Sequence, residues 1–484
     1  MISFRSACSI LFVALLPACN TARKAAHSSR PNILFVIADD LSAEALSTYG
    51  NQQCRTPNID RLASRGFRFT RAYCQYPVCG PSRAALMSGM YPTKMGIMNN
   101  GGSDKIDEIL QDKASMPQLF KENGYHTTRL SKIYHMRVPG DITAGVNGPD
   151  HAPSWSERFN FQGAEWMTEG ERTHLSNEKL QFKPDVHYNL GFGTAFYVVK
   201  GEGKGAEQPD YRATSKAIDI MQQHRKQSDQ PFFLAVGYIR PHVPLVAPAS
   251  AYEPFPPQEM ELPEKVDNDQ RDVPQLGKPR TSESFGISAP EKQREVLSAY
   301  YASVAFMDQQ FGRLLDALEA EGLAENTIVV FTSDHGYHLG EHDFWQKWSL
   351  HEESVRIPLI IAGPGVEFSE SDALAEQIDL YPTLAGLVGL SAPDHVQGKS
   401  LLPVLREPKT QVREAVYSVT SNGALLRTND WAYMQYKDGS EELYDMNRDP
   451  QQYSNLAKIP NYQSKREEMA RLLKEKQAMV VGNP

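Results

Sequence analysis

Four short apolar runs punctuate the chain, and each ends abruptly in polar residues. They are Asn32-Ile-Leu-Phe-Val-Ile-Ala-Asp39, Tyr125-His-Thr-Thr-Arg-Leu130, Pro231-Phe-Phe-Leu-Ala-Val-Gly-Tyr-Ile239 and Thr327-Ile-Val-Val-Phe-Thr-Ser333. Near-continuous runs of this length predict strands buried on both faces, and the helical stretches between them predict a parallel sheet covered by helices. One such helix is read over Glu291 to Gly322, where Leu297, Tyr301, Val304 and Met307 recur at helical spacing and Gly322 offers a stop. After about residue 400 the pattern changes. Ala415-Val-Tyr-Ser-Val, Trp431-Ala-Tyr-Met-Gln-Tyr and Glu442-Leu-Tyr-Asp are short alternating runs, followed by a charged helix from Ser464 to Met479.

The pattern therefore predicts an α/β fold: a large, mostly parallel sheet sandwiched by helices, and a smaller C-terminal α+β subdomain carrying an antiparallel sheet. The organisation read from it is 1–19 export signal, 20–30 polar tether, 31–400 catalytic domain and 401–484 C-terminal subdomain. His135 to Asp185 and Pro244 to Pro290 read as long surface excursions, which in a compact domain are often functional.

Open α/β sheets bind ligands beyond the carboxyl ends of their strands. The polar residues following the four runs are Asp39-Asp40, Lys132 with His135, Arg240-Pro-His242 and Asp334-His335, four clusters that can converge on one site. Three carboxylates and one imidazole form a hard, oxygen-rich set suited to Ca²⁺ or Mg²⁺ rather than to a thiolate-loving metal.

Composition narrows the chemistry. The chain has 484 residues, of which 40% are hydrophobic and 23% charged, as in an ordinary globular protein. Its formal net charge of -9 argues against nucleic acid as a partner, because affinity for phosphate backbones comes from clustered Lys and Arg. An anionic substrate must then be attracted by a local island of cationic side chains.

The first segment carries Arg5, an apolar run from Ile10 to Leu16 and small residues before Cys19, which reads as an export signal too short to span a bilayer. Leu16-Pro17-Ala18-Cys19 resembles a bacterial lipobox, with Cys19 as the lipidated N-terminus; a plain secretory signal cut nearby is the alternative. The expected location is the periplasm or cell surface. Without Cys8 and Cys19, three cysteines remain, of which Cys54 and Cys74 could pair in an oxidising compartment and leave Cys79 over.

The stretch Val78-Cys-Gly-Pro-Ser-Arg-Ala-Ala-Leu-Met-Ser-Gly89 places Cys79 at or just before a helix start, with Pro81 suited to the first helical position. Orphan backbone N–H groups there favour an anion, and Arg83 adds a permanent charge whose fork matches sulfate or phosphate oxygens.

These residues resemble the signature of the formylglycine-dependent sulfatases. Further matches are the Asp39-Asp40 strand end, Thr56-Pro-Asn-Ile-Asp60, Pro241-His242, Ser333-Asp-His-Gly336, Leu443-Tyr-Asp and Asp449-Pro. Lys132-Ile-Tyr-His135, and Ser333 through His342 with Lys347, are most similar to the iduronate-2-sulfatase branch, from which Tyr91-Pro-Thr departs. The resemblance implies an alkaline-phosphatase-like fold and conversion of Cys79 to formylglycine by a separate maturation enzyme. It also implies Ca²⁺, with Mg²⁺ as the alternative, held by Asp39, Asp40, Asp334 and His335 beside residue 79. Arg83 and Lys132 would fix the formylglycine hydrate and the sulfate, and His135 would serve as base. His242 and Lys347 would contact the sulfate, and either one would serve to protonate the leaving alkoxide. The implied substrate is a sulfated carbohydrate, with a 2-O-sulfated uronic acid favoured and algal polysaccharide open. Two other readings stay open: a phosphate or phosphonate ester hydrolase on the same site, and a glycan-binding lipoprotein in which Cys79 is never converted. Arg240, His338 and His342 stand near the motifs without an assigned role.

Overall fold

A computed structural model describes residues 30–183, 186, 188–227 and 230–482. The export signal, its lipobox and all of the tether but Arg30 lie outside the described residues. The four predicted runs become β1 (Asn32–Asp39), β3 (His126–Ser131), β5 (Phe232–Pro241) and β6 (Thr327–Ser333). They are neighbours in one sheet, in the order β6-β1-β5-β3, and every pair among them is parallel. Alternate residues of β1 serve opposite faces. Leu34, Val36 and Ala38 join one apolar cluster, and Ile33, Phe35 and Ile37 join the other. Both faces being dry explains why the run shows no polar alternation.

The sheet is wider than the pattern predicts. β2 (Phe67–Tyr73), β4 (Glu157–Phe159), β7 (Arg356–Ala362), β8 (Ser369–Ser371) and β9 (Ala375–Glu376) complete nine strands in the order β8-β2-β7-β6-β1-β5-β3-β4, with β9 also on β2. β7 runs antiparallel to both β6 and β2. Its Pro358 has no N–H to give the ladder, and the β2 register slips there, between Ile357 and Leu359. In β2, Arg68 and Arg71 interrupt the apolar series, so the sequence pattern hides the strand.

The helices α1 (Pro57–Ala63), α2 (Cys79–Ser88), α3 (Pro209–Gln227) and α4 (Pro290–Ala320) cover the sheet. α4 buries Leu297, Tyr301, Val304, Met307 and Phe311, each worth roughly 1.5–3 kcal/mol when removed from water. Its start and end fall within two residues of the predicted ones. α2 begins at Cys79 itself, two residues before the proline expected to open it, and every residue in it is buried.

The C-terminal strands β10 (Ala415–Val419), β11 (Gly423–Thr428), β12 (Trp431–Tyr436) and β13 (Glu441–Asp445) form an antiparallel meander, against which α5 (Gln463–Gly482) packs. The Pro244–Pro290 excursion is largely irregular but contributes a strand, Leu245–Pro248, to a small second sheet with Gly170–His174 and Tyr197–Gly201 from the earlier part of the chain.

The proposed Cys54–Cys74 pair is not formed. Both thiols are free and buried, and they sit in different apolar clusters, Cys54 on one face of the sheet and Cys74 on the other. A sheet stands between them, which no side-chain movement can bridge.

Candidate functional site

The carboxyl ends of β1, β5, β6 and β3 deliver the polar groups. Asp39 is the last residue of β1, and Asp40 follows in a left-handed conformation at φ 63°. A non-glycine residue holds that conformation only when its surroundings fix it. Here the Asp40 N–H donates to Asp334 Oδ1 at 3.1 Å, while its carbonyl accepts from Tyr300 Oη of α4 at 2.7 Å. Asp334 and His335 follow β6, and the His335 N–H also donates to Asp334 Oδ1, at 3.0 Å. α2 is seated from below: Ser82 Oγ donates to the Asp334 carbonyl, and Gln377 bonds Ser82 Oγ at 2.8 Å and the Ser333 carbonyl at 2.7 Å.

Cys79 Sγ then stands 3.4 Å from His335 Nε2, 3.3 Å from Lys347 Nζ and 3.7 Å from Asp40 Oδ1. Ligand atoms of Asp39, Asp40, Cys79 and His335 all lie within 4.8 Å of one another. Asp334 completes the predicted set from slightly outside, with Oδ1 3.7 Å from His335 Nε2. Asp40 Oδ2 is buried without a hydrogen-bond partner. Carboxylates, an imidazole and an unused buried carboxylate oxygen are the donors a hard divalent cation takes, so the residues fit Ca²⁺ or Mg²⁺.

Three cations balance the three carboxylates. Lys132 pairs with Asp39, and Lys347 Nζ pairs with Asp40 Oδ1 at 2.5 Å. Arg83 is fully buried and committed to the protein. Nε donates to Asp334 Oδ2 at 2.9 Å, Nη2 to Asp39 Oδ1 at 3.3 Å, and Nη1 to the carbonyls of Lys132 and Ile133. Burial pushes the Asp39 carboxyl up, but Lys132, His242 and Arg83 more than reverse this and hold it well below the usual range. Asp40 is lowered in the same way, against burial, by Lys347, His242 and His335. Burial and the Asp39 charge raise the Cys79 thiol well above its ordinary pKa. The unmodified thiol is thus a poor source of nucleophile.

His242 follows β5, in a turn whose Arg240–Pro241 and Val243–Pro244 peptides are cis. Its Nδ1 is 2.6 Å from the Val243 carbonyl, and Nε2 faces Asp40 Oδ2 at 3.9 Å. Burial lowers its pKa to about 4 despite both aspartates. His135 is buried, with no hydrogen-bond partner on either nitrogen, and its ring lies parallel to Tyr188 at 6.1 Å. Burial and then Lys132 hold it well below its ordinary pKa. Cys79, Asp39, Asp40, His335, Lys347 and His242 are therefore brought together directly, whereas Arg83 reaches the centre through Asp39 and Asp334, Lys132 through Asp39, and His135 hydrogen-bonds none of the ligands.

Sequence reasoning misses the supports. Tyr300, Gln377 and Asp210 stand in no motif that the sequence singles out. Yet Asp210 accepts the N–H groups of Ile239 and Arg240 at 2.8 and 2.9 Å and fixes the turn that carries His242. Arg240 is not in the centre. It bonds Glu165 and the carbonyls of His242 and Pro244.

A family profile described as Sulfatase matches residues 31–390, and one described as N-sulphoglucosamine sulphohydrolase, C-terminal, matches residues 340–479. The chain is 33% identical over 462 residues to a sulfatase of Formosa agariphila, covering 92% of this chain and 86% of that protein. It is 33% identical over 431 residues to the iduronate 2-sulfatase of Homo sapiens, covering 78% and 74%. In structure it is similar to the phosphonate monoester hydrolase of Agrobacterium radiobacter, with a TM-score of 0.76, 21% identity and coverage of 93% and 96%, a likeness of fold.

Proposed function

The chain belongs to the sulfatase family and is a sulfuric ester hydrolase, and from that premise we propose that it desulfates a sulfated carbohydrate, at 2-O-sulfated uronic acid residues, using a formylglycine hydrate at position 79 and Ca²⁺. The observation that carries the reading is the convergence of Lys347 Nζ, His335 Nε2 and Asp40 Oδ1 on Cys79 Sγ, whose place the oxygen of a modified residue would take. The uronic acid is favoured by the human relative, an iduronate 2-sulfatase.

Hydrated formylglycine supplies two hydroxyls on one carbon, one to attack sulfur and the other to expel inorganic sulfate. A cation held by Asp39, Asp40, Asp334 and His335 supplies positive charge beside position 79. Burial works against the Lys347 ammonium, but Asp40 more than reverses this, so the group stays protonated and donates to the sulfate oxygens. Burial lowers the His242 pKa to about 4; an anionic ester beside Nε2 raises its proton affinity, so it can take up and deliver a proton to the leaving alkoxide. His135, neutral and free on both nitrogens, is the acceptor for the proton of the second hydroxyl. Arg83 is a positioning residue that aligns Asp39 and Asp334, and Lys132 does the same for Asp39. We further propose that the protein is exported as a lipoprotein anchored through Cys19 and is matured by a formylglycine-generating or equivalent enzyme.

Sulfate release from a panel of defined sulfated oligosaccharides, with matured protein and a Cys79→Ala blank, tests the reading. Release from 2-O-sulfated uronides that vanishes in the blank is expected. Release only from algal or other sugar sulfates would remove the uronide, and faster cleavage of phosphate or phosphonate esters would remove the sulfate preference. Retention in the membrane fraction that is lost in Cys19→Ala tests the anchor.

A further inference from the structure

The outer side of His135 carries an aromatic ring that the hydrolytic centre does not use. His135 is 4% exposed and lies within range of the charges of Lys132, Asp39, Arg83 and Lys347, which sets it against the centre. Tyr188 stacks on it in an offset pair, with 14° between the rings and 6.1 Å between their centres. Tyr188 is 42% exposed, so the imidazole is the inner ring of the pair and the phenol the outer one.

A single exposed aromatic residue means little by itself, but this ring is held from several sides. Tyr188 forms an antiparallel bridge with Pro139, and the Asn189 N–H donates to the Val138 carbonyl at 3.4 Å. The phenol hydroxyl faces Asp104 Oδ1 at 3.4 Å, on a different segment of the chain. Asn189 turns back into its own loop, where Oδ1 accepts from the Lys183 N–H and Nδ2 donates to the Val186 carbonyl, both at 2.6 Å. Beneath the loop, Phe192 and Leu180 pack with Met136, Val138 and Ile239 in a small apolar cluster separate from the main core. Backbone alternation puts Leu190 on the same side of the chain as Tyr188, and Leu190 is 56% exposed. The 135–190 excursion thus presents a fixed apolar face that begins at His135 and runs outward from the centre.

Such a face suits a pyranose ring, which offers a flat patch of C–H groups with hydroxyls around its edge. Covering the patch removes apolar surface from water, and an aromatic ring already held in place loses little freedom when it does so. A sulfate engaged at position 79 puts its own sugar over the inner ring, His135, and the next sugar along the chain over the outer one. We propose that Tyr188, extended by Leu190, is the platform for the sugar joined to the one that loses its sulfate, which makes an oligosaccharide the preferred substrate over a monosaccharide. The proposal rests on the reading of the protein as a carbohydrate sulfatase, and assigns to it the part of the substrate beyond the reacting ring.

The test compares sulfate release from a matched pair, a sulfated monosaccharide and a disaccharide that contains it, using whichever sugar sulfate the matured wild-type protein cleaves. The wild type should favour the disaccharide. Tyr188→Ala should lower kcat/KM for the disaccharide on the order of 10-fold more than for the monosaccharide, chiefly through KM, and Tyr188→Phe, which keeps the ring, should retain the preference. Equal losses on the two sugars overturn the proposal and leave Tyr188 a cover for His135, and so does a wild type with no preference. A wrong uronide shows in which pair the wild type cleaves, and a wrong platform shows in the variant-to-wild-type ratio on that pair. Where Tyr188→Ala fails to fold or releases no sulfate, saturation-transfer NMR of the wild-type chain with the desulfated disaccharide decides. Transfer to the C–H protons of the adjoining sugar, kept in Tyr188→Phe, supports the platform; transfer confined to the sugar that carried the sulfate overturns it.

Discussion

Asp210→Asn gives a prediction whose size follows from the turn that carries His242. Asp210 is fully buried at the start of α3, where Oδ1 accepts from Ile239 N–H and Oδ2 from Arg240 N–H. Burial raises its pKa from 3.8 to about 6, although Arg240 and the two N–H donors pull the other way. A carboxyl whose folded pKa is raised binds its proton more tightly in the folded state. Its contribution to stability is therefore complete below the unfolded value and is lost as pH rises through about 6. Over the whole span the loss is about 3 kcal/mol, and between about pH 5 and about pH 8 it is about 1.4 kcal/mol. Asparagine keeps one acceptor and does not titrate. The stability of the wild-type protein relative to Asp210→Asn should thus fall by about 1.4 kcal/mol from about pH 5 to about pH 8, read from urea midpoints of both proteins at each pH. A difference that stays flat, or that grows with pH, would falsify the assignment of a raised pKa to this carboxyl.

Gly237→Ala would bring a Cβ to 2.0 Å from the Lys132 carbonyl oxygen, so β3 and β5 must part; we expect a loss of at least ~2 kcal/mol and displaced Lys132, and a variant melting like the wild type refutes this. Arg83→Lys cannot serve Asp39, Asp334 and two carbonyls at once, and should cost about 3–5 kcal/mol in chemical denaturation; a cost below ~1 kcal/mol means the guanidinium network is dispensable. Lys347→Met removes a donor aimed at position 79, and in matured protein sulfate release should slow by about 10²–10³ while the circular dichroism spectrum is kept; full activity would exclude Lys347 from the reaction.

The sequence by itself determined the sheet centre and the strand-end chemistry. The runs at β1, β5 and β6 are apolar through their middles, where a two-sided sheet must be dry, and they end in the residues that close the site, because a parallel sheet exposes its strand ends to one edge. The signature from Cys79 to Arg83 was legible because unusual residue types stand together. Tertiary structure decided what local pattern cannot carry. β7 reverses direction beside β6, and its proline and the arginines of β2 mask both strands. Cys54 and Cys74, plausible partners along the chain, are separated by the sheet. Arg83, expected to face an anion, is enclosed by Asp39, Asp334 and two carbonyls, since a buried guanidinium must satisfy its donors wherever acceptors converge. Tyr300, Gln377 and Asp210 act through contacts 44 to 260 residues away in sequence or with a strand formed later in the chain, and such contacts exist only after the fold has brought their elements together.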